Sequence, residues 1–494
     1  MRISPILAGL MLSLSGISTS LAEVTYTTEA GGYILNSGSV TDDMVLTGSG
    51  SPTSVGSYHG PSSIVIEEGS SLTTPNALFI GGKGYNTTGT SGGDGIIIVS
   101  KDATLTVGAE NSNDGDGAHL DIGNSQYSCT GTLKIDGGTV NAKAGLVMGS
   151  LNAGYGVLEI TNGGTLSVDK TGYSSAHEFQ LINGEVNIDN GELSTTGGTT
   201  AYLGINGGSD VTINITNGGT YASDGFNFVG YAGDATINVE GEDSSLEFSG
   251  VLQLGGGEGV GVVNIENGAT VYGNSLSSWD TSSVSIAESA GMSVTSVTLN
   301  GESTLTNNGT LEGYLEAGFG TTASGTGTFG ETSIQNGATL IIGTLNEDGT
   351  ITAGNQTHTG NLIVSEGATL TFAIDDFNGT ENSALILSEG STLTVDEAAV
   401  VRLYLSEEAI EQSKTLGDDF SLELVNSTAT GETESYVLSN IEIYDMYGEE
   451  VEDIAFSGTV DENGNIIINT VIPEPATATL SLLALAAMVA RRRR

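Results

Sequence analysis

Histidine is the side chain best placed to bind zinc or to act as a base near neutral pH. This 494-residue chain has four: His59, His119, His177 and His358. They fall in separate stretches, with no HExxH and no i, i+4 pair, so the spacing argues against a zinc site. Asp and Glu number 60, and two facing carboxylates about 5–10 Å apart would suffice for glycoside hydrolysis. Nothing in the spacing marks such a pair. A lyase acting on acidic sugars needs Arg or Lys beside the sugar carboxylate, and no Lys or Arg occurs between Thr171 and Val401. The expectation is a non-enzymatic protein with no catalytic residue, an extracellular glycan-active enzyme being the alternative.

Two acidic, Gly-rich loops could hold Ca²⁺. One is Asn113-Asp114-Gly115-Asp116-Gly117, with Asp121 just beyond; the other is Asp375-Asp376 with Asn378 and Glu381. Neither has EF-hand spacing and no GGxGxDx repeat occurs, so solvated turns are the plainer reading and no cofactor is expected. Threonine pairs recur at alternating positions: Thr104/Thr106, Thr304/Thr306, Thr369/Thr371 and Thr392/Thr394. Stacked in register they would make a threonine ladder of the ice-binding type, a minor alternative; β-branched residues on the wet side of a strand are the plainer one. Cys129 is the only cysteine, so no intramolecular disulfide can form, and it reads as a small strand residue rather than a nucleophile.

The chain has 74 Gly and a net charge of −48, from 12 Lys and Arg against 60 Asp and Glu. Such a charge repels phosphate backbones and anionic membrane surfaces, which excludes nucleic acid as a partner. High Gly with only 15% charged residues would suggest disorder if the apolar residues were scattered. They are instead gathered into short alternating runs of β-branched residues, each ended by an Asn-Gly or Gly-Gly turn.

The runs repeat. GTLKIDGGTVNA (131–142), GVLEITNGGTLSV (156–168), EVNIDNGELST (185–195), VTINITNGGTYAS (211–223) and VVNIENGATVYG (262–273) share one plan: a strand, a tight turn, a second strand. The last apolar residues before the turns, Ile135, Ile160, Ile188, Ile215, Val239 and Ile265, lie 25, 28, 27, 24 and 26 apart. A third short run ending in Gly, such as LVMGS (146–150) or FVGYA (228–232), falls between copies. Strands this short cannot make a sheet alone, but stacked coil on coil each pairs with its counterparts. Leu158, Ile160, Leu166 and Val168 would then point inward into aliphatic stacks. The expected fold is all-β: a right-handed parallel β-helix of about ten to twelve coils over residues 63–395. An N-terminal cap (23–62) would precede it and a small C-terminal β cap (396–472) would follow. The NGGTL and NGATL turns resemble the repeats of autotransporter passenger domains over roughly residues 60–395. The 77 residues of 396–472 are too few for the membrane barrel of that family.

Both termini carry signals. Arg2, an apolar stretch from Ile6 to Ile17 and the small-x-small pattern Ser20-Leu21-Ala22 read as a secretory signal peptide cleaved between Ala22 and Glu23. The last 22 residues (473–494) are Pro473-Glu474-Pro475, an apolar run from Ala476 to Ala490, and Arg491, Arg492, Arg493 and Arg494. Fifteen helical residues rise about 22 Å against roughly 30 Å of hydrocarbon, a weak span that suits transient inner-membrane insertion. The arginines hold the terminus on the cytoplasmic side. This tail resembles the PEP-CTERM protein-sorting signal. The resemblance implies an exosortase-type membrane protease as partner, export to the cell envelope, outer surface or extracellular space, and association with extracellular polysaccharide. The expected function is a structural or adhesive surface component.

Overall fold

The computed structural model describes residues 23–470, save for short segments at 30–31, 47–52, 57–60, 83–92, 109–118, 126–127, 151–152, 172–178, 378–381, 417–419, 428–434, 452–453 and 462–464. The signal-peptide residues through Ala22 and the tail, including Pro473, Glu474, Pro475 and Arg491 to Arg494, lie outside the described residues, as do His59 and His177.

The periodic isoleucines of the sequence are direct pairing partners. Ile135 pairs with Ile160, Ile160 with Ile188, Ile188 with Ile215, Ile215 with Val239 and Val239 with Ile265, all in parallel register. They belong to a first face of sixteen parallel strands, from Gly38–Val40 to Asn440–Asp445. Alternation along each strand sends every second side chain inward. In Gly154–Thr161 and Thr165–Asp169, Leu158, Ile160, Leu166 and Val168 are fully buried, and the residues between them are half-exposed. Each such side chain contributes roughly 1.5–3 kcal/mol by burial, and like stacks on like from coil to coil.

A coil has three strands, as in Cys129–Asp136, Thr139–Lys143 and Leu146–Met148. The second and third form the second and third faces, parallel to their counterparts in adjacent coils. The first turn of the coil is where Asn-Gly is demanded: Asn162 has φ 55° and Gly163 φ 77°, a left-handed pair that other residues adopt at a cost. The architecture is the expected parallel β-helix.

The stack is taller than the ten to twelve coils expected, because the coils are not of one length. Val263 pairs with Val284, 21 residues on, Leu305 with Ala323, 18 on, and Ala323 with Leu340, 17 on. There the second and third faces fuse into single strands such as Ser245–Leu254 and Thr270–Ser278. Short coils pack more rungs into the same sequence. Beyond them the coils lengthen, and a small hairpin, Thr344–Leu345 with Ile351–Thr352, accompanies the first face; Ile341, Ile351 and Ala373 bury one another in a separate apolar cluster.

The parallel ladder also runs past residue 395. Val400–Leu405 pairs with Thr369–Ile374, and Asn440–Asp445 with Val400–Leu405. At the other end, Gly38–Val40 and Thr53–Val55, inside the segment read as an N-terminal cap, already join the parallel ladders. The helix Glu407–Ser413, capped by Ser406, and a four-stranded antiparallel sheet of Ser421–Glu423, Ile466–Thr470, Phe456–Val460 and Tyr436–Leu438 close the C-terminal end. Phe377 packs edge-on to Phe420 at 5.2 Å and against Phe456 at 5.7 Å, which ties this cap to the solenoid core.

Candidate functional site

The expected chemical residues do not converge. His119 bonds through Nε2 to Asp121 Oδ2 at 3.1 Å, so Asp121, counted with the first acidic loop, is engaged elsewhere; residues 113–117 lie outside the described residues. Asn382 organises the second loop, accepting the Asp375 and Asp376 N–H groups at 2.9 and 3.1 Å; Asn378 and Glu381 are outside the described residues. Among the described residues no group of three or more His, Cys, Asp or Glu is placed to hold a metal ion. Cys129 is buried, and burial pushes its thiol up, away from the thiolate form.

The threonine pairs are dispersed over three faces. Thr104 and Thr106 lie on the second face; Thr304, Thr306, Thr369 and Thr371 on the first; Thr394 on the third. On the first face Ser283/Ser285 and Thr304/Thr306 are neighbours, but the row runs into Asn264 on one side and the buried Ser324 on the other. The shared ladder that the ice-binding alternative requires is not built. Sequence spacing could not separate these pairs because strands of different faces carry the same alternation.

What the fold does assemble is a cleft and an aromatic terrace around one corner of the coil. The cleft is a shallow, open groove of roughly 400 Å³ between Ser194–Thr196, Ala222–Asp224, Glu247–Ser249 and Tyr272–Gly273. Two carboxylates line it. That of Asp224 accepts the Gly197 N–H at 2.9 Å and the Gly198 N–H at 3.1 Å, so it braces the neighbouring turn. Glu247 Oε1 accepts the Ser245 hydroxyl at 3.3 Å. Tyr272, half exposed, forms part of the rim.

Around the corner the strand Asn227–Val229 sends Asn227 inward and Phe228 outward. Asn227 is buried, accepts the Tyr221 hydroxyl at 3.1 Å and donates to Gly225 O at 3.3 Å. The Tyr221 phenol is itself enclosed in the core, and burial pushes its pKa up, so it stays a neutral donor. This buried pair pins the corner and leaves Phe226 and Phe228 outside, ring centroids 4.7 Å apart. One coil earlier, Tyr202 is the register partner of Phe228, stacked at 5.0 Å and 7°. Tyr231 stands nearly perpendicular to both, at 72° to Phe228 and 77° to Tyr202. Phe226 and Tyr231 are 37% and 39% exposed. Four rings in mutual contact, two of them exposed, form an aromatic cluster on the outer surface, and such patches mark interaction sites. The sequence held the signal in FVGYA (228–232) and in the like run YLGIN (202–206), but as third-strand repeats such runs read only as structure.

No family model matches this chain, and no curated protein matches it. Among solved structures it is similar to a TibC-catalysed, hyper-glycosylated TibA55-350 fragment, at 13% identity over 74% of this chain and 98% of that one, with a TM-score of 0.22. A likeness of that degree bears on neither the site nor the function.

Proposed function

We propose that this chain is an exported, non-enzymatic β-solenoid that works as a structural and adhesive component of the cell surface or its extracellular surroundings. The observation that carries the reading is the rod itself: sixteen rungs at ~4.8 Å each give a spine of about 75 Å. It is sealed at its C-terminal end and carries its net negative charge on the outside. A closed rod of this kind holds surface features at a distance from an anionic cell envelope. The Asp224 carboxylate is occupied by two backbone N–H groups, which favours a structural role for that acid over a catalytic one. Among the described residues no helix is long and apolar enough to cross a membrane. The run assigned to transient insertion, Ala476 to Ala490, lies outside them.

In this reading the N-terminal segment directs export with cleavage before Glu23. The tail with Pro473-Glu474-Pro475 and Arg491–Arg494 is handled by an exosortase-type membrane protease. Mass spectrometry of the surface-exposed protein tests it. The expected product begins at Glu23 and lacks Arg494; an intact tail on surface protein defeats the sorting step, and retention of the whole chain in the cytoplasm defeats the reading.

A further inference from the structure

We propose that the aromatic terrace formed by Tyr202, Phe226, Phe228 and Tyr231 binds an uncharged pyranose polymer laid along the solenoid axis. The inference rests on the adhesive reading above and names the partner that adhesion engages. The outward row of the third face runs, by register, from Gln180 to Tyr202, Phe228, Gln253 and Ser277. Amide, ring, ring, amide and hydroxyl thus follow one another at one side chain per rung. Trp279, 42% exposed, stands beside the Ser277 end of the row, its indole Nε1–H donating to Ser277 Oγ at 2.7 Å.

Sugars offer what this row can use. A pyranose has apolar C–H faces that pack on aromatic rings, and hydroxyls at its edge that bond to amides, hydroxyls and carboxylates. Tyr202 and Phe228 cover one another's faces, so Tyr231, nearly perpendicular to both, and the exposed Phe226 are the rings left to receive a sugar. One sugar unit of an extended pyranose chain is about as long as one rung, so successive units meet successive rungs without strain. Tyrosine and tryptophan suit a surface that must face water when empty and a sugar when filled.

Charge selects among occupants. No Lys or Arg lies between Thr171 and Val401, and Asp234 and Asp280 flank the terrace, accepting the Val260 N–H at 3.1 Å and the Gly256 N–H at 3.4 Å. An acidic polysaccharide, a nucleic acid or an anionic membrane would meet like charge with no counter-ion supplied by the protein. A second copy of a chain with net charge −48 meets the same repulsion. An uncharged polymer pays no such penalty.

The chain contains one tryptophan, Trp279, on the coil two rungs beyond Phe228 along the proposed path, so intrinsic indole emission has a single source beside the terrace. The mature protein, purified from the surface, is titrated with three soluble polymers: a neutral β-glucan, polygalacturonate and chitosan. The proposal expects the neutral polymer to shift and saturate the Trp279 emission and polygalacturonate to leave it unchanged. It expects Phe226→Ser/Tyr231→Ala to weaken binding at least tenfold while the melting temperature holds. Phe226→Ser alone, at an exposed position, should weaken binding several-fold and serves if the double variant fails to fold. Equal binding by the variants, stronger binding of polygalacturonate or chitosan than of the neutral polymer, no emission change with any polymer, or self-association quenched by the same substitutions would each overturn it. Attachment of cells or beads to a surface is scored separately. Attachment that survives loss of the terrace sinks this inference and leaves the adhesive reading standing; glycan binding without attachment does the reverse.

Discussion

The imidazole of His358 lies parallel to the ring of Phe329, centroids 5.2 Å apart and 11° from coplanar, inside the core where the two residues are register partners. Gln356 sets the state of that imidazole. Its amide nitrogen donates to Gly325 O at 3.0 Å, so its oxygen is left to face His358 Nε2 at 3.0 Å, and the ring must carry its proton there. Burial holds the pKa down to about 3, from an ordinary 6.5.

That depression has a signed consequence. The unfolded chain takes up this proton near pH 6.5, the folded one only near 3. Stability from this group is therefore complete above about pH 6.5 and is lost as pH falls from there toward 3, by roughly 2–3 kcal/mol at pH 4.5. In His358→Leu the stability lost between pH 7 and 4.5 should be smaller by about that amount, although the variant is weaker at pH 7 because Gln356 Oε1 loses its donor. Denaturant melts at both pH values check it; parallel acid limbs in the two proteins would refute it.

A ladder of side-chain amides runs down the outside of the first face. Asn214 donates to Asn187 at 2.8 Å, Asn238 to Asn214 at 2.9 Å and Asn264 to Asn238 at 2.9 Å. Asn238→Ala removes two of these bonds at once and should cost about 1–2 kcal/mol; Asn187→Ala removes one of them and should cost less. Urea unfolding of both variants measures the difference.

Neighbouring residues on opposite sides of one strand should differ sharply. Ile213 is fully buried and Thr212 is half-exposed. Ile213→Ala should cost about 2–5 kcal/mol, and Thr212→Ala should change stability by no more than about 0.5 kcal/mol. Equal effects would mean that the inward stack is not what carries the fold.

Two glycines test the turns. Gly163 has φ 77° with open space where a Cβ would stand, so Gly163→Ala pays for backbone strain only, about 1 kcal/mol. At Gly149 an added Cβ would sit 1.9 Å from Asn183 O of the next coil, so Gly149→Ala must pry two rungs apart and should cost about 3 kcal/mol or more. Thermal melts of the pair distinguish strain from collision.

The sequence alone determined the rung. Ile135 to Ile265 recur at about one coil's length, and each strand alternates, because a coil must return every inward side chain to the stack it left. A pattern of that kind is written locally. The tail's Pro473-Glu474-Pro475 and arginine cluster are local too, so the sorting expectation rests on the sequence alone. What the sequence could not state is which strands share a face. Thr104/Thr106 and Thr304/Thr306 look alike in one dimension but lie on different faces, since turns of varying length decide where each strand lands. By the same rule Tyr202, Phe228 and Ser277, 75 residues apart from first to last, come into one row only when the coils close. Asn227 and Tyr221, bonded in the core, keep Phe226 and Phe228 turned outward at that corner. Register between coils is a property of the whole stack, so the terrace exists only in the tertiary structure.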